Sequence, residues 1–425
     1  MRNIAFLLVL ASALLAWNGG RRPLGLDYYH YWITPRLMRS GGNIYDTESA
    51  VRNQVRDQLL SEAREAPGSR RARAAQYWHN DSPWRAILPS GTPFFYTALS
   101  PLARGDYDAG FLLFQLVSLA AALAGTLTLA RLFGHQPWLA LLLTALVCSP
   151  FFEPFRSDQR VANVNRLLLG GVAFYLWLRS RRGDATLVGA GAALGLLVLF
   201  KPTVAPAAIL LALHALVRNS RRELLLEGLG VAAGSSFAFA VSSLAFGSPA
   251  VWLAWPTTLG VISDHASVAM GNYGLVALAR ELGGMNPSPP LLAAFVLCAL
   301  AVAAAGTALL RRRPGVIGPE ECSSERGLVA STGLVLFLVV SPLVWRHYEL
   351  LAVPAILWLL GPAASRRLIE RALALLALVL LSRLGLGPML SAGAVTLATL
   401  ILFGLLLGNL AMLGASGADT TRAAR

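Results

Sequence analysis

The stretch Thr92-Pro-Phe-Phe-Tyr-Thr-Ala-Leu-Ser-Pro-Leu-Ala103 decides the topology of this chain. It is apolar, but it covers only about half of the roughly 20 residues that a transmembrane helix needs, and two prolines interrupt it. Counting it as a span would move every later loop to the opposite side of the membrane. The flanking sequence therefore has to decide between a span and a re-entrant or interfacial segment.

The rest of the chain is rich in apolar segments. Hydrophobic residues make up 56% of the 425 residues and the mean hydropathy is +0.58, which is too apolar for an ordinary soluble protein. Apolar stretches of nearly spanning length recur to the C-terminus, so the sequence predicts an all-α polytopic membrane protein. These stretches lie at about 3–19, 108–131, 137–152, 163–179, 185–200, 203–217, 224–246, 289–310, 327–341, 345–362, 366–382 and 389–413.

Arginine clusters between the apolar segments indicate the orientation, because short loops rich in Arg stay in the cytoplasm. If 92–103 is not a span and Met1 is inside, these clusters all fall on the cytoplasmic side. If 92–103 is a span, the clusters beyond residue 133 move outside, so we predict a re-entrant or interfacial segment near 92–103. The clusters are Arg131, Arg179-Ser-Arg-Arg182, Arg218-Asn-Ser-Arg-Arg222, Arg311-Arg-Arg313, Ser365-Arg-Arg367 and the tail residues Arg422 and Arg425.

This orientation predicts about twelve transmembrane helices with both termini in the cytoplasm and a long first extracytoplasmic loop at 20–107. Residues 1–362 are expected to form the main functional region, 363–413 the C-terminal transmembrane helices and 414–425 a cytoplasmic tail. Arg2 precedes the first apolar run, and the pattern of small residues at a cleavage site is poor. The N-terminus therefore favours a retained signal-anchor over a cleaved signal peptide.

Charge and cysteine usage exclude several classes of function. The formal net charge is +14, but the Arg residues are scattered in short clusters between apolar segments, as connecting loops require, so we predict no nucleic-acid partner. Cys148, Cys298 and Cys322 lie in or near apolar segments without metal-ligand spacing. These cysteines indicate no disulfide framework and no metal site, and the sequence predicts no cofactor while it leaves a metal requirement open.

The predicted topology gathers polar residues on the extracytoplasmic face, at helix ends. Asp27 is the first carboxylate of the chain and lies among aromatic residues just after the first apolar segment. A helix that begins here would have Asp27, His30 and Tyr31 on one face, which makes Asp27 a candidate general base and the other two candidate substrate-binding residues. The alternative is a helix-capping Asp followed by an aromatic belt at the membrane interface.

Basic residues on the same face indicate an anionic substrate. Lys201 is the only lysine of the chain, and an ionisable group at such a depth suggests a functional site, unless its side chain reaches up to the interface. Arg156, Arg160 and Arg346 are further candidates, because a guanidinium group binds phosphate with paired N–H donors.

The remaining polar candidates each have an ordinary alternative. His347 could act as an acid or base at a helix end, or be an interfacial residue that water satisfies. Asn163, Asn165 and Asn272 could bind sugar hydroxyls, or cap the helices that follow them.

The order and spacing of these motifs resemble glycosyltransferase family 87, a family of polytopic GT-C enzymes. The resemblance runs from about residue 20 to residue 362. In order, the motifs are Asp27 with its aromatics, Gly41-Gly-Asn-Ile-Tyr-Asp46, Phe94-Phe-Tyr-Thr-Ala-Leu-Ser-Pro-Leu-Ala103, Ala162-Asn-Val-Asn165, Lys201-Pro202, Gly271-Asn-Tyr-Gly274 and Ser341-Pro-Leu-Val-Trp-Arg-His-Tyr348.

The resemblance implies a GT-C-like bundle and an enzyme that uses a polyprenyl-phosphate-linked sugar as donor. The family's essential Asp in the first external loop corresponds to Asp27, and the His of its Ser-Pro-x-x-Trp-x-His motif corresponds to His347. The chain departs from the family at Ala162-Asn-Val-Asn165, where a Gln-Val-Asn type motif is common, and at Arg346, where an acidic residue often precedes the His. On this basis Lys201 and the arginines are expected to hold the donor phosphate.

The sequence therefore predicts a plasma-membrane hexosyltransferase that works at the extracytoplasmic face. Mannose is the first candidate sugar, the acceptor is a lipid or glycan, and membrane lipids surround the protein. A secondary transporter or lipid flippase would show repeated halves and charges near the middle of the membrane, which the sequence lacks. A membrane anchor for a partner complex would not explain why the motifs converge at several loops.

Overall fold

The computed structural model of the chain describes residues 1–39, 44–45, 49–65, 67–81, 90–103, 105–181, 183–218, 221–256, 258, 268, 271–283, 296, 299–300, 302–304, 306, 319–362, 364, 368–382 and 388–423. Most of the predicted apolar segment 289–310 lies outside these residues. The arginine clusters at 311–313 and 365–367, which are predicted to be cytoplasmic, lie outside them as well.

Helices account for nearly all of the regular structure in these residues, which contain no strand. The α-helices are α1 Arg2–Gly20, α2 Leu26–Arg39, α3 Ser49–Glu65, α4 Arg70–Gln76, α5 Pro93–Leu99, α6 Tyr107–Leu132, α7 Pro137–Val147, α8 Glu153–Val161, α9 Asn165–Ser180, α10 Asp184–Phe200, α11 Ala205–Arg218, α12 Arg221–Ala245, α13 Leu275–Gly283, α14 Pro319–Val340, α15 Val353–Leu360, α16 Leu368–Leu381 and α17 Pro388–Ala423. A π-helix covers Tyr77–Asp81, and 3-10 helices cover Ser100–Ala103, Pro202–Val204 and Arg346–Ala352.

Four helices in the described part of the chain are long and apolar enough to cross a membrane, namely Arg2–Gly20, Tyr107–Leu132, Arg221–Ala245 and Met389–Met412. The pair α8 and α9 forms a fifth candidate, bent by 117° at its break. The prediction of a helical membrane protein is confirmed at this level. The count of about twelve spans, the GT-C-like arrangement and the long extracytoplasmic loop stay predictions.

Small residues allow α10 and α12 to pack with their backbones almost in contact. A Cβ atom added to Gly191 would lie 2.0 Å from the Glu227 carbonyl oxygen, and one added to Gly230 would lie 2.1 Å from that of Val188. Helices in a membrane associate through such close packing, because lipid tails compete with apolar side chains for ordinary hydrophobic contacts. This contact fixes α10, whose C-terminal end carries Lys201.

The stretch 92–103 folds into the short helix α5 and the 3-10 helix that follows it. Pro93 occupies the first turn, where its missing N–H is not needed, and the Thr92 hydroxyl accepts a hydrogen bond from Phe95 N at 3.0 Å. With 7 residues, α5 is far shorter than the roughly 20 residues of a membrane span. Its re-entrant or interfacial location stays a prediction.

Three breaks in the helical structure position the candidate site. Between α8 and α9, Ala162 adopts a left-handed conformation with φ of +58°, which turns the chain sharply. Between α10 and α11, Pro202 forces Lys201 into an extended conformation with φ of −148°. The predicted apolar segment 345–362 is also not one continuous α-helix, because Arg346–Ala352 is a 3-10 helix.

Two hydrophobic clusters meet at the break between α8 and α9. One lies in the helical bundle and includes Phe155 and Leu168. The other is rich in aromatic side chains of α2 and α5, and it includes Ala162 and Val164. The residues of the break are therefore held from both sides by buried apolar side chains.

Candidate active site

The Asp27 carboxylate lies at the centre of the candidate site. Asp27 is in the first turn of α2, and its Oδ2 accepts a hydrogen bond from Asn163 Nδ2 at 2.6 Å. About a quarter of the Asp27 side chain is exposed. The carboxylate is thus held by the break between α8 and α9, which is 136 residues away in the sequence.

Burial sets the acid–base behaviour of Asp27. It raises the pKa of the Asp27 carboxyl from 3.8 to about 6, while the hydrogen bond from Asn163 and the positive charge of Lys201 lower this pKa and the negative charge of Asp158 raises it. A carboxyl with a pKa near 6 is ionised at neutral pH and is a better proton acceptor than an ordinary Asp.

The orientation of the Asn163 carboxamide follows from its neighbours. Its Oδ1 accepts hydrogen bonds from Lys201 Nζ at 2.9 Å and from Val164 N at 2.8 Å. Both neighbours can only donate, so this atom must be the oxygen and the NH₂ group must face Asp27.

Lys201 connects two asparagines and an aromatic ring. Besides its bond to Asn163, Nζ donates to Asn165 Oδ1 at 3.0 Å, and it lies 4.3 Å from the centroid of the Tyr348 ring. Asn165 Nδ2 in turn donates to the His347 carbonyl oxygen at 3.0 Å. The structure thus brings together two of the three predicted asparagines, the only lysine and the predicted histidine.

His347 faces Asp27 across a short gap. Its Nε2 lies 3.9 Å from Asp27 Oδ2, and this nitrogen is buried without a hydrogen-bond partner among the described residues. Burial, with the positive charges of Lys201 and Arg160, holds the pKa of His347 well below its usual range. The imidazole is therefore neutral at physiological pH, and a hydroxyl group placed beside this gap could bond to both side chains.

Of the two other candidates on α2, Tyr31 is acted on by the charge of the Asp27 carboxylate, and His30 bonds to a different partner. The Tyr31 ring packs edge-on against the Phe95 ring, with 4.8 Å between the ring centroids. Burial together with the charge of Asp27 raises the pKa of the Tyr31 hydroxyl. His30 Nε2 is instead hydrogen-bonded with the Tyr96 hydroxyl at 3.3 Å, and burial lowers the pKa of His30 to about 3.

Two of the three predicted arginines, Arg346 and Arg156, form a second group around Glu153. Arg346 Nη1 donates to Glu153 Oε1 at 3.0 Å, and Nη2 donates to the Tyr273 hydroxyl at 2.8 Å. Arg156 Nη1 lies 3.7 Å from Glu153 Oε2 and about half of its side chain is exposed. Arg160, one turn further along α8, is exposed as well.

The Asn272 carboxamide joins two loops. Its Nδ2 donates to the Pro342 carbonyl at 2.7 Å, and its Oδ1 accepts from Val344 N at 2.9 Å and from Gly274 N at 3.2 Å. Asn272 is fully buried, and Tyr273 N donates to the Val344 carbonyl. These contacts fix the loop before His347, so Asn272 stabilises the position of His347 through the backbone.

The sequence did not reveal two buried acidic groups beside the site. Asp158 Oδ1 accepts from Arg166 Nε at 2.7 Å with neither side chain exposed, and Asp158 Oδ2 accepts from Asn165 N at 3.2 Å. Glu349 is buried without a hydrogen-bond partner for either carboxyl oxygen among the described residues, and burial raises its pKa well above the usual range. The available signal for Asp158 and Arg166 was the presence of two opposite charges close together in sequence, where a polar stretch meets an apolar segment.

The described residues contain no cluster of three or more His, Cys, Asp or Glu side chains that could hold a metal ion. The site offers a carboxylate that accepts protons, a neutral imidazole, a lysine bonded to two asparagines, and arginines beside Glu153. This arrangement can remove a proton from a hydroxyl group beside a negatively charged group.

A family model for glycosyltransferase family 87 matches residues 91–342, more than half of the chain. The chain therefore belongs to glycosyltransferase family 87 and is a glycosyltransferase, which confirms the resemblance and disfavours the transporter alternative. The matched region includes Lys201 and the three asparagines, whereas Asp27 and His347 lie outside it. Comparison with curated proteins and with solved structures returned no match.

Proposed function

We propose that this member of glycosyltransferase family 87 moves a hexose from a polyprenyl-phosphate sugar to a hydroxyl group of a lipid or glycan acceptor. Mannose is the first candidate for the sugar. The observation that carries this proposal is the Asp27 carboxylate, which Asn163 holds 3.9 Å from the neutral imidazole of His347.

In the proposed reaction Asp27 accepts the proton of the acceptor hydroxyl. The acceptor oxygen forms a bond to the anomeric carbon while the bond from that carbon to the phosphate oxygen breaks, and the phosphate leaves with both bonding electrons. One carboxylate suffices for this displacement, because the donor already has a stable leaving group, unlike the substrate of a glycoside hydrolase. His347 is proposed to orient the acceptor hydroxyl as an auxiliary group.

The leaving phosphate needs positive charge. We assign this role to Arg156 and Arg160, which are exposed, and to Arg346, whose guanidinium is only partly used by Glu153 and Tyr273. The sequence also favours Lys201 for this role, but two of its N–H bonds already go to asparagine oxygens.

The reaction is proposed to occur on the extracytoplasmic face of the plasma membrane, with both termini in the cytoplasm. The supporting argument is the distribution of arginine clusters, which favours a cytoplasmic location for the short loops between the apolar segments. Membrane lipids would then surround the apolar helices, and a lipid-linked donor could reach the site without leaving the bilayer.

The experiment compares Asp27→Asn with Asp57→Asn, a matched change at an exposed carboxylate of α3. Reconstituted protein is supplied with radiolabelled polyprenyl-phosphate mannose and a lipid acceptor extract, and transfer of label is measured. A general base contributes about 10²–10⁴-fold, so Asp27→Asn should lose at least about a hundredfold in rate while Asp57→Asn keeps the rate of the parent. Equal rates for Asp27→Asn and the parent would exclude Asp27 as the base.

A further inference from the structure

We infer that Lys201 is a positioning residue for Asp27, holding the Asn163 carboxamide in the orientation that donates to the carboxylate, and is not a ligand of the donor phosphate. The identification of Asp27 as the base rests on the proposed function, whereas the contacts between these three side chains do not. Lys201 would thus set both the geometry and the ionisation of the reacting group through one intervening amide.

The first argument is the number of donors on the ammonium group. An ammonium has three N–H bonds, and two of them go to Asn163 Oδ1 and Asn165 Oδ1. The Tyr348 ring covers a further side, with its centroid 4.3 Å from Nζ, at a distance typical of a cation–π contact. A phosphate oxygen would have to displace one of these three partners.

The second argument concerns the alternative orientation of Asn163. If its carboxamide turned over, the NH₂ group would face the ammonium of Lys201 and the N–H of Val164, and the oxygen would face Asp27. Donor would then meet donor and oxygen would meet carboxylate, so all three hydrogen bonds would be lost. Lys201 therefore holds the amide in the orientation that donates to Asp27. When Lys201 is replaced, Val164 N is the one remaining group among the described residues that favours this orientation.

The third argument is that Lys201 fixes the neighbouring segment in the same way. Its bond to Asn165 Oδ1 directs Asn165 Nδ2 toward the His347 carbonyl oxygen at 3.0 Å. The break at Ala162 supplies both asparagines, and the break at Pro202 supplies the lysine. One ammonium thus connects the loop that holds the carboxylate to the 3-10 helix that carries the imidazole.

The charges around Asp27 fix the direction of the expected effect. The groups that act on it or face it come from four parts of the chain. They are Asn163 and Asp158 from the α8–α9 region, Lys201 from the end of α10, Tyr31 and Tyr96 from α2 and α5, and His347 with Tyr348 from the 3-10 helix. Among them only Lys201 carries a positive charge, since His347 is neutral. Removing that charge must therefore raise the pKa of Asp27, because it lowers this pKa in the parent protein.

The test follows the protonation of Asp27 by infrared difference spectroscopy of the full chain in lipid. The C=O band of a protonated carboxyl is titrated with pH, and the spectrum of Asp27→Asn identifies the contribution of Asp27. Lys201→Met should raise the pKa of Asp27 by about one unit. Lys201→Arg keeps the positive charge, so the pKa of Asp27 in this variant should stay close to that of the parent. Arg222→Met removes an exposed positive charge from the N-terminal end of α12 and should leave the titration unchanged.

A double-variant comparison shows whether the effect passes through Asn163. Asn163→Ala removes the hydrogen bond to Asp27 and should also raise its pKa. If Lys201 acts partly through this amide, the shift in Lys201→Met combined with Asn163→Ala should be smaller than the two single shifts added together. Fully additive shifts would show a direct charge effect alone and would overturn the positioning role.

Kinetics with polyprenyl-phosphate mannose separate the two roles of Lys201. A positioning residue should lower kcat and move the acidic limb of kcat/KM to higher pH in Lys201→Met, with the donor KM changed less than about threefold. A donor KM raised tenfold or more with an unchanged Asp27 titration would identify a phosphate ligand and overturn the inference. If the parent transfers no sugar, the proposed function fails, and the titration of Asp27 still tests the inference.

Discussion

Replacing Asp27 with Asn should stabilise the fold while it slows catalysis at least about a hundredfold, and the gain in stability should depend on pH. The parent protein must keep an ionised carboxylate in a mostly buried position at neutral pH, with a pKa raised by burial. Asn has nearly the same shape and its oxygen can still accept the hydrogen bond from Asn163 Nδ2, but it has no charge to desolvate. The difference in the free energy of unfolding between the two proteins is therefore the extra free energy needed to ionise Asp27 in the folded state, compared with the unfolded chain.

The pKa shift gives the size of this difference. The pKa of Asp27 rises from 3.8 in the unfolded chain to about 6 in the fold. A shift of about two units, at about 1.4 kcal/mol per unit, corresponds to about 3 kcal/mol. Because the folded pKa is the higher one, the folded state binds the extra proton between these values, and the stability of the parent decreases as pH rises from about 4 to about 6.

The assay measures the free energy of unfolding in mixed micelles, followed by tryptophan fluorescence. At about pH 4 the parent and Asp27→Asn should have similar stability, and at about pH 8 the variant should be more stable by up to about 3 kcal/mol. Asp57→Asn serves as the control, because Asp57 is exposed on α3 and should show no such divergence.

Two results would refute this reasoning. A constant difference between parent and variant at both pH values would mean that Asp27 does not titrate between them. If the variant becomes less stable than the parent as pH rises, the surroundings stabilise the ionised carboxylate, and the pKa of Asp27 lies below the usual value. In either case burial would not be the property that makes Asp27 a base.

Three further outcomes are expected. Asp158→Asn leaves Arg166 as an unpaired buried charge and should lower the free energy of unfolding by about 3–5 kcal/mol, measured by the same denaturation. Gly230→Ala should lower it by about 1–3 kcal/mol through its clash with the facing backbone, whereas Gly228→Ala, where a Cβ meets nothing within 4 Å, should raise it by about 1 kcal/mol. The pH profile of kcat/KM should fall below about pH 6 as Asp27 is protonated, and an acidic limb near pH 4 would contradict the raised pKa.

The sequence predicted the helical membrane class and the separation of two apolar segments at Lys201-Pro202. Length and hydropathy indicate helices, and Pro202 marks an interruption in any apolar segment. The 3-10 helix at Arg346–Ala352 was not predicted, because hydropathy is insensitive to whether an apolar segment is α-helical throughout. The left-handed conformation of Ala162 was not predicted either, since such a conformation is typical of Gly or Asn and tertiary packing enforces it here.

The candidate site was predictable as a set of residues but not as a set of contacts. Motif order and the inferred membrane face selected Asp27, Asn163, Asn165, Lys201 and His347, and these residues do lie together in the structure. Their pairing could not be read from the sequence, since it depends on how three separate segments meet. Buried acidic partners were overlooked for a similar reason, because a carboxylate in a short polar helix looks like part of an exposed loop until its neighbours are known.

The breaks explain how so many polar groups can share one buried site. At a break the backbone loses helical hydrogen bonds, so its free groups and the nearby polar side chains need partners. Here they satisfy one another across segments, as when Asn165 donates to the His347 carbonyl and accepts from Lys201. Because these groups bond to one another and not to Asp27, the Asp27 carboxylate accepts one hydrogen bond within the described part of the chain, from Asn163, and its side toward His347 stays open. The polar network thus stabilises the breaks and leaves the Asp27 carboxylate open on the side of His347, as the proposed role of a base requires.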